Sequence, residues 1–444
     1  MALGSLSGLG KVPELRRRLL YTLILMAIYR LGIFISVPGV DRSILLQYMK
    51  FGGGGFFGLF DMFSGGAVSQ LSVFALGVMP YISAQIILEL LASVVPSLDR
   101  LKKEQGGGMQ KFNQYARYLT IALCLIQGTG IALWLESLNA QAGTEGVIRT
   151  TGFIFRFVTI MSLTSGAMLL MWMGERITER GVGNGISLII FAGIVARLPQ
   201  AFGQTLSLST FEGGRLEPLT LLIILILVIA VIIVIVFFES AQRRIPVQYA
   251  KKVVGRKIYE GRTTYLPLKV NTAGVIPPIF ASSVLMFPSM LGNLFPGAGW
   301  VQWIQRVLVP GHMLYNLIYV LMIIFFCFFY TAVTFNPFDV ADNLKKGGGF
   351  VPGIRAGKAT AEYIDKVLSR ITFGGAIYVA LVCVLPTFLQ SQFGVPFYFG
   401  GTSLLIVVGV AMDTASQIEA HLITQSYDGF SVGGGPKVRS RRSS

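Results

Sequence analysis

Apolar runs recur along the chain at lengths that suit membrane-crossing helices. Ten are read as spans, at about 19–37, 73–95, 118–135, 153–173, 185–205, 219–238, 270–294, 313–335, 371–389 and 395–412. A bilayer's hydrocarbon core is crossed by about 18–20 apolar residues of helix. Leu219 to Phe238 is twenty residues without a charge and is the clearest of the ten. One stretch, Phe56 to Leu90, breaks the pattern. Its first part carries Asp61, Ser64, Gly65, Gly66, Ser69 and Gln70, too polar to cross alone, and its second part, from Val73, is a span disturbed by Gly77 and Pro80. Polar or irregular backbone at membrane depth is tolerated only where protein buries it or water lines it. The stretch is therefore either something held in a cavity or a re-entrant packing segment.

Charge then orients the spans. The chain has 444 residues, 53% hydrophobic and 13% charged, with a net charge of +16 and a mean hydropathy of +0.67. With the N-terminus placed in the cytoplasm, segments 1–18, 96–117, 174–184, 239–269, 336–370 and 413–444 hold 29 of the 37 Lys and Arg. That is a positive-inside distribution, and basic ends on both sides fit an even number of spans. Arg30, Arg156 and Arg197 fall inside spans with no evident intramembrane partner, and Glu89 lies near the cytoplasmic end of span 2. Cys124, Cys327 and Cys383 all sit in apolar runs without pair spacing, so neither a disulfide framework nor a zinc site is expected. His312 and His421 lie far apart and offer no metal pair; no cofactor is expected. No cleavable signal is read before the first apolar run at Leu19.

The loops carry a second layer of information. Residues 239–269 hold eight basic residues and 336–370 hold six, including Arg355 in the turn FVPGIRAG. Loops of about 30 residues exceed what a connection needs, which favours a docking surface for anionic lipid or a large anionic partner. The glycines at 181, 183 and 185 lack a Walker lysine and a preceding strand, which excludes a phosphate loop. The external loop 206–218 divides the chain five spans and five, into 19–205 and 219–412, before a basic tail at 413–444. If the halves descend from one unit, an odd span count forces an inverted repeat. Interruptions at Gly77 and Pro80 in span 2, and at Gly274, Pro277 and Pro278 in span 7, point to a site where the halves meet.

FALGVMPYISAQIILELL, LMWMGERITERGVGNGISLIIFAGIVA, QRRIPVQYAKK, LPLKVNTAGVIPPIFASS, FNPFDVADNLKKGGGFVPGIRAGKATAEYIDKVLSRIT and PFYFGGTSLLIVVGVAMD together resemble the bacterial SecY family, collinearly from about Leu15 to Asp413. SecY is the large subunit of the Sec protein-conducting channel. The resemblance implies an all-α membrane protein of ten helices in two inverted halves around a pore, with a lateral gate between spans 2–3 and 7–8. It implies a plug at about 56–70, including Phe60, Asp61, Phe63, Ser64, Gly65 and Gly66, and a constriction ring at Val78, Ile82, Ile186, Ile190, Ile279 and Ile406. Valine at 78 stands where the family often has isoleucine. Ser83, Gln127 and Asn271 match the polar positions of the lateral gate; Arg256, Lys257 and Arg355 match positions that meet the ribosome or the SecA motor. The implied partners are SecE-like and SecG-like small subunits, SecA, the ribosome, preproteins and nascent membrane proteins, with anionic lipids around the basic loops. The implied location is the bacterial inner membrane with both termini cytoplasmic.

The alternative is a secondary transporter built on inverted repeats, which would carry midplane carboxylates or paired ions. An intramembrane enzyme would need a convergent Ser–His, paired Asp or metal set, and the two peripheral histidines supply none.

Overall fold

A computed structural model of the chain describes residues 13–45, 61, 64–104, 107–141, 148, 152–200, 203, 218–249, 252–254, 257–259, 263–292, 312–393 and 401–432. Among them are ten helices of eleven residues or longer: α1 (Pro13–Gly32), α2 (Met79–Val94), α4 (Gly108–Gln141), α5 (Phe153–Arg180), α6 (Gly185–Val195), α7 (Pro218–Ser240), α8 (Ile276–Gly292), α9 (Met313–Thr334), α11 (Lys358–Phe393) and α12 (Gly401–Val432). They correspond in order to the ten expected spans. Two short helices, α3 (Pro96–Lys103) and α10 (Pro337–Lys346), follow α2 and α9. Counted over the described residues and side chains alone, five helices are long and apolar enough to cross a membrane as they stand, or six if bent α2–α3 counts as one. Of the others, α2 and α8 begin late, α1 opens on Arg16, Arg17 and Arg18, and α7 runs 23 residues with Glu239 as its only charge.

The two halves repeat one packing scheme. In the first half α1 packs on α5 and α6, α2 on α4 and α5, α4 on α5, and α5 on α6. In the second half α7 packs on α11 and α12, α8 on α9 and α11, α9 on α11, and α11 on α12. Every pairing in one half has its counterpart five spans later, and five is odd, so consecutive halves must run in opposite senses. The halves meet where α8 lies on α2 and α4, and where α12 lies on α1 and α6.

The repeat extends to a tetrapeptide. Gly77-Val78-Met79-Pro80 opens α2 and Gly274-Val275-Ile276-Pro277 opens α8, and both glycines have positive φ, +58° and +63°. A glycine can take the left-handed turn without a Cβ clash. A proline in the first helical turn sacrifices an N–H that has no intrahelical acceptor anyway. Residues 73–78 and 270–275 are consequently irregular, and the expected spans 73–95 and 270–294 become helix only at Met79 and Ile276.

The long basic loops are structured. The expectation of an all-helical protein holds for the spans, while 239–269 adds β1 (Gln242–Tyr249), β2 (Lys252–Val254), β3 (Lys257–Tyr259) and β4 (Thr263–Lys269). β1 pairs antiparallel with β4 and with β5 (Gly349–Phe350), so the two loops share one small sheet. Ile245, Leu268, Val351 and Ile364 form its buried core. Much of 336–370 is likewise helix, since α11 begins at Lys358, and the expected tail 413–444 is helical to Val432.

Candidate functional site

The six aliphatic positions singled out in the sequence come from both halves and all belong to the main apolar core of the helices, which they share with residues of nearly every span. Val78, Ile82, Ile190, Ile279 and Ile406 are buried in it, and Ile186 is half-buried against it. Val78 sits at the N-cap of α2, and Ile82, one turn on, donates its N–H to the Val78 carbonyl (3.1 Å). Ile186 and Ile190 share a face of α6 at i, i+4 spacing. The Asn184 side chain caps that helix through Ile186 N and Ser187 N. Ile279 stands at the start of α8 and Ile406 within α12. By the repeated tetrapeptide, Ile82 and Ile279 occupy equivalent places in the two halves. Such a cluster offers no ligand to an ion and no hydrogen-bonding demand to a polypeptide.

Into the same core runs the polar segment between α1 and α2, of which Asp61 and 64–78 are described. Phe60 and Phe63 lie outside the described residues. The segment is a succession of turns. Gly65 and Gly66 have φ of +67° and +95°, and Ala67, Val68 and Leu71 are buried in the same apolar cluster. Its polar atoms are tied down individually. The Tyr29 hydroxyl donates to the Ser64 carbonyl (3.1 Å) and Arg30 Nη1 to the Gly65 carbonyl (3.1 Å). Asp61 is buried, pairs with Arg197 through Oδ2 and accepts the Ser69 N–H through Oδ1 (2.8 Å). Arg197 Nη2 also reaches Ser69 Oγ (3.3 Å). Backbone bonds from Val37 N to Leu71 O and from Val73 N to Ile35 O, each 2.9 Å, stitch the end of the segment to the residues after α1.

These contacts correct one sequence expectation. Arg30 and Arg197 are held by the polar segment, and Arg156 by Glu136, with Nη2 to Oε2 at 2.6 Å. Sequence reasoning missed Arg197, Arg30 and Tyr29 as partners of the segment because they lie 136, 35 and 35 residues from the groups they bind. The available signal was Asp61, the sole charge in Phe56–Gln70, on the same expected side as Arg30 and Arg197.

The three polar positions expected at a gate, Ser83, Gln127 and Asn271, are not brought into one bonded set. Asn271 Nδ2 donates to Glu239 Oε1 (2.6 Å) and to the Gly274 carbonyl (3.1 Å), tying α7 to the start of α8 within the second half. Gln127 on α4 is buried, and its Oε1 has no hydrogen-bond partner among the described residues. Ser83 is half-buried on α2. Among the described residues, Gly183 N donates across the halves to Gln417 Oε1 (2.9 Å), and Ser283 Oγ, whose proton goes to the Ile279 carbonyl (2.8 Å), touches Met79 Sδ (3.9 Å); neither contact was anticipated. Arg355 is exposed in the turn between β5 and α11, its carbonyl accepting from Thr360 Oγ1 (2.9 Å). Lys257 opens β3, and Arg256 lies outside the described residues.

Comparison with known proteins places this arrangement. The SecY family model matches residues 72–415. A protein translocase subunit SecY of Escherichia coli K12 is 49% identical over 425 residues, covering 95% of each chain. Among solved structures, one of a protein conducting channel superposes with a TM-score of 0.65 at 18% identity, covering 96% of this chain and 98% of that one. A second, in which the SecY plug domain is described as stabilising the closed state of the translocation channel, has a TM-score of 0.62 at 18% identity with the same coverage. Taken with the repeated five-helix halves, the match over nearly the whole length establishes that the chain belongs to the SecY family.

Proposed function

We propose that this chain is the central subunit of a protein-conducting channel that passes unfolded preproteins across a bacterial inner membrane. The single observation that carries the reading is the apolar cluster to which both halves contribute, Val78, Ile82, Ile186 and Ile190 from one and Ile279 and Ile406 from the other, with a polar segment laid against it. A narrow aliphatic constriction excludes hydrated ions by dewetting. It yields to an extended chain, because dispersion contacts carry little directional demand. Asp61, Ser64, Gly65 and Gly66, with Phe60 and Phe63, form the plug on the external side.

Membrane segments leave sideways between α2–α4 and α8–α9, with Ser83, Gln127 and Asn271 as the polar gate positions. The seam suits this role: across it Ser283 Oγ only touches Met79 Sδ, its proton being given to the Ile279 carbonyl of its own helix, and interhelical bonds in membranes are worth only about 0.6–2 kcal/mol. A bound partner can offset a cost of that size. The channel is passive; SecA or a translating ribosome drives it, docking on Arg256, Lys257 and Arg355. Ribosomal phosphates would be met by cations without sequence readout. SecE-like and SecG-like subunits complete the complex, anionic lipids surround the basic loops, and both termini face the cytoplasm.

The test is reconstitution with the small subunits in vesicles, adding SecA, ATP and an unfolded preprotein. Protease-protected preprotein that depends on ATP is expected. Absence of protection, with uptake of a small solute in its place, would establish the transporter instead.

A further inference from the structure

We propose that the plug is latched to the first half alone, with Arg197 as the positioning residue, so that plug release and separation of the halves are distinct steps. Arg197 follows α6, and its guanidinium engages Asp61 and Ser69 together. Gly66 presses close enough that a Cβ there would lie 3.1 Å from Nη2. The remaining anchors, Tyr29 and Arg30, are on α1, and a Cβ on Gly65 would lie 2.6 Å from the Gly193 Cα of α6. Among the described residues, the hydrogen bonds and ion pair that the segment makes beyond itself all run to α1, to residues 35–37 after it, or to Arg197. The interfaces between halves lie elsewhere, α8 on α2 and α4, and α12 on α1 and α6. Parting those interfaces breaks none of these bonds, so the segment travels with α1 and α6.

The pair suits a latch rather than permanent glue. The Asp61 and Arg197 side chains are 8% and 18% exposed, so each pays for desolvation when seated and recovers hydration when released. A buried pair therefore adds little net stability, while removing one partner leaves a charge stranded and is strongly unfavourable. The seat is thereby specified by charge complementarity, which predicts that exchanging the two charges preserves it.

The test uses the full complex with its small subunits and rests on the segment acting as the plug. Two cysteine-pair reporters are built in separate backgrounds. Ser64→Cys with Gly77→Cys reports the seated plug, since a Cβ on Gly77 lies 3.7 Å from the Ser64 Cβ, a disulfide-compatible spacing; because a Cβ at φ +58° is itself strained, every Arg197 variant is compared with this same cysteine pair carrying native Arg197. Met79→Cys with Ser283→Cys, bridged by a short bis-maleimide because the two side chains touch only through the far end of Met79, reports the closed seam. Arg197→Glu, and the milder Arg197→Gln, should lower the seated population by about a hundredfold or more. Resting ion leak should rise and the plug crosslink fall, with the seam crosslink unchanged. Asp61→Arg combined with Arg197→Asp should restore both readouts, and Arg197→Lys should restore them partly. Unchanged plug crosslinking in Arg197→Glu and Arg197→Gln would overturn the latch, as would a seam crosslink falling in parallel or a charge exchange that restores nothing. Deleting 61–70 separates the two levels: leak on deletion without an effect at Arg197 overturns the latch only, and no leak on deletion overturns the plug itself.

Discussion

Gly65→Ala offers the sharpest steric test of how the plug is seated. Gly65 has φ +67°, and an added Cβ would lie 2.6 Å from the Gly193 Cα and 3.1 Å from its carbonyl oxygen. A left-handed L-residue costs about 1–2 kcal/mol, and overpacking against a partner that cannot rotate away costs about 1–3 kcal/mol. Both penalties fall on the seated state, since a released segment relaxes its backbone and leaves Gly193. The seated-to-released ratio should thus fall by about 2–5 kcal/mol, or roughly thirtyfold to several thousandfold. Resting ion current through the reconstituted complex in a planar bilayer measures the change. Gly193→Ala should act in the same direction but more weakly, because its Cβ meets the Tyr29 hydroxyl at 3.0 Å and Gly65 N at 3.2 Å. Gly374→Ala, with nothing within 4 Å, is the control. Equal currents in all three variants would refute this account of the seat.

Two further outcomes follow from the ring and the basic surface. Ile82→Gly with Ile190→Gly should raise resting ion conductance; each truncation removes about 2–5 kcal/mol of packing, so recovery of the assembled complex by size exclusion must accompany the current, and wild-type conductance from assembled complex would count against the ring. Arg355→Glu should abolish SecA-driven export while changing stability by no more than about 0.5 kcal/mol, because the side chain is exposed. Normal export with this variant would remove Arg355 from the docking surface.

Much of the architecture could be read directly from residues. Apolar runs located the ten helices, because a membrane imposes length and composition on each one separately. The halves were foreseen from the odd span count and the paired interruptions at Gly77/Pro80 and Gly274/Pro277, but the matching tetrapeptides Gly77-Val78-Met79-Pro80 and Gly274-Val275-Ile276-Pro277 went unseen until the packing scheme aligned the halves. A four-residue repeat 197 positions apart carries no hydropathy signature. The sheet that joins the two loops was missed for a related reason: β5 is two residues long and exists only because β1 offers it an edge. The ring positions came from resemblance, since an isoleucine facing a pore and one facing lipid have the same local pattern. The Arg197–Asp61 pair lay beyond both approaches. Pairing across the fold depends on where α6 ends relative to the segment, which no local property of either residue reveals.

The pore between the halves is the central claim, and a polypeptide caught in transit tests it most directly. A photoreactive preprotein stalled midway by a folded C-terminal domain should crosslink to Ile82, Ile190, Ile279 and Ile406, positions drawn from both halves. Crosslinks confined to exposed α7 residues such as Ile226 and Ile233, with none at these four, would place the path outside the pore and contradict the account.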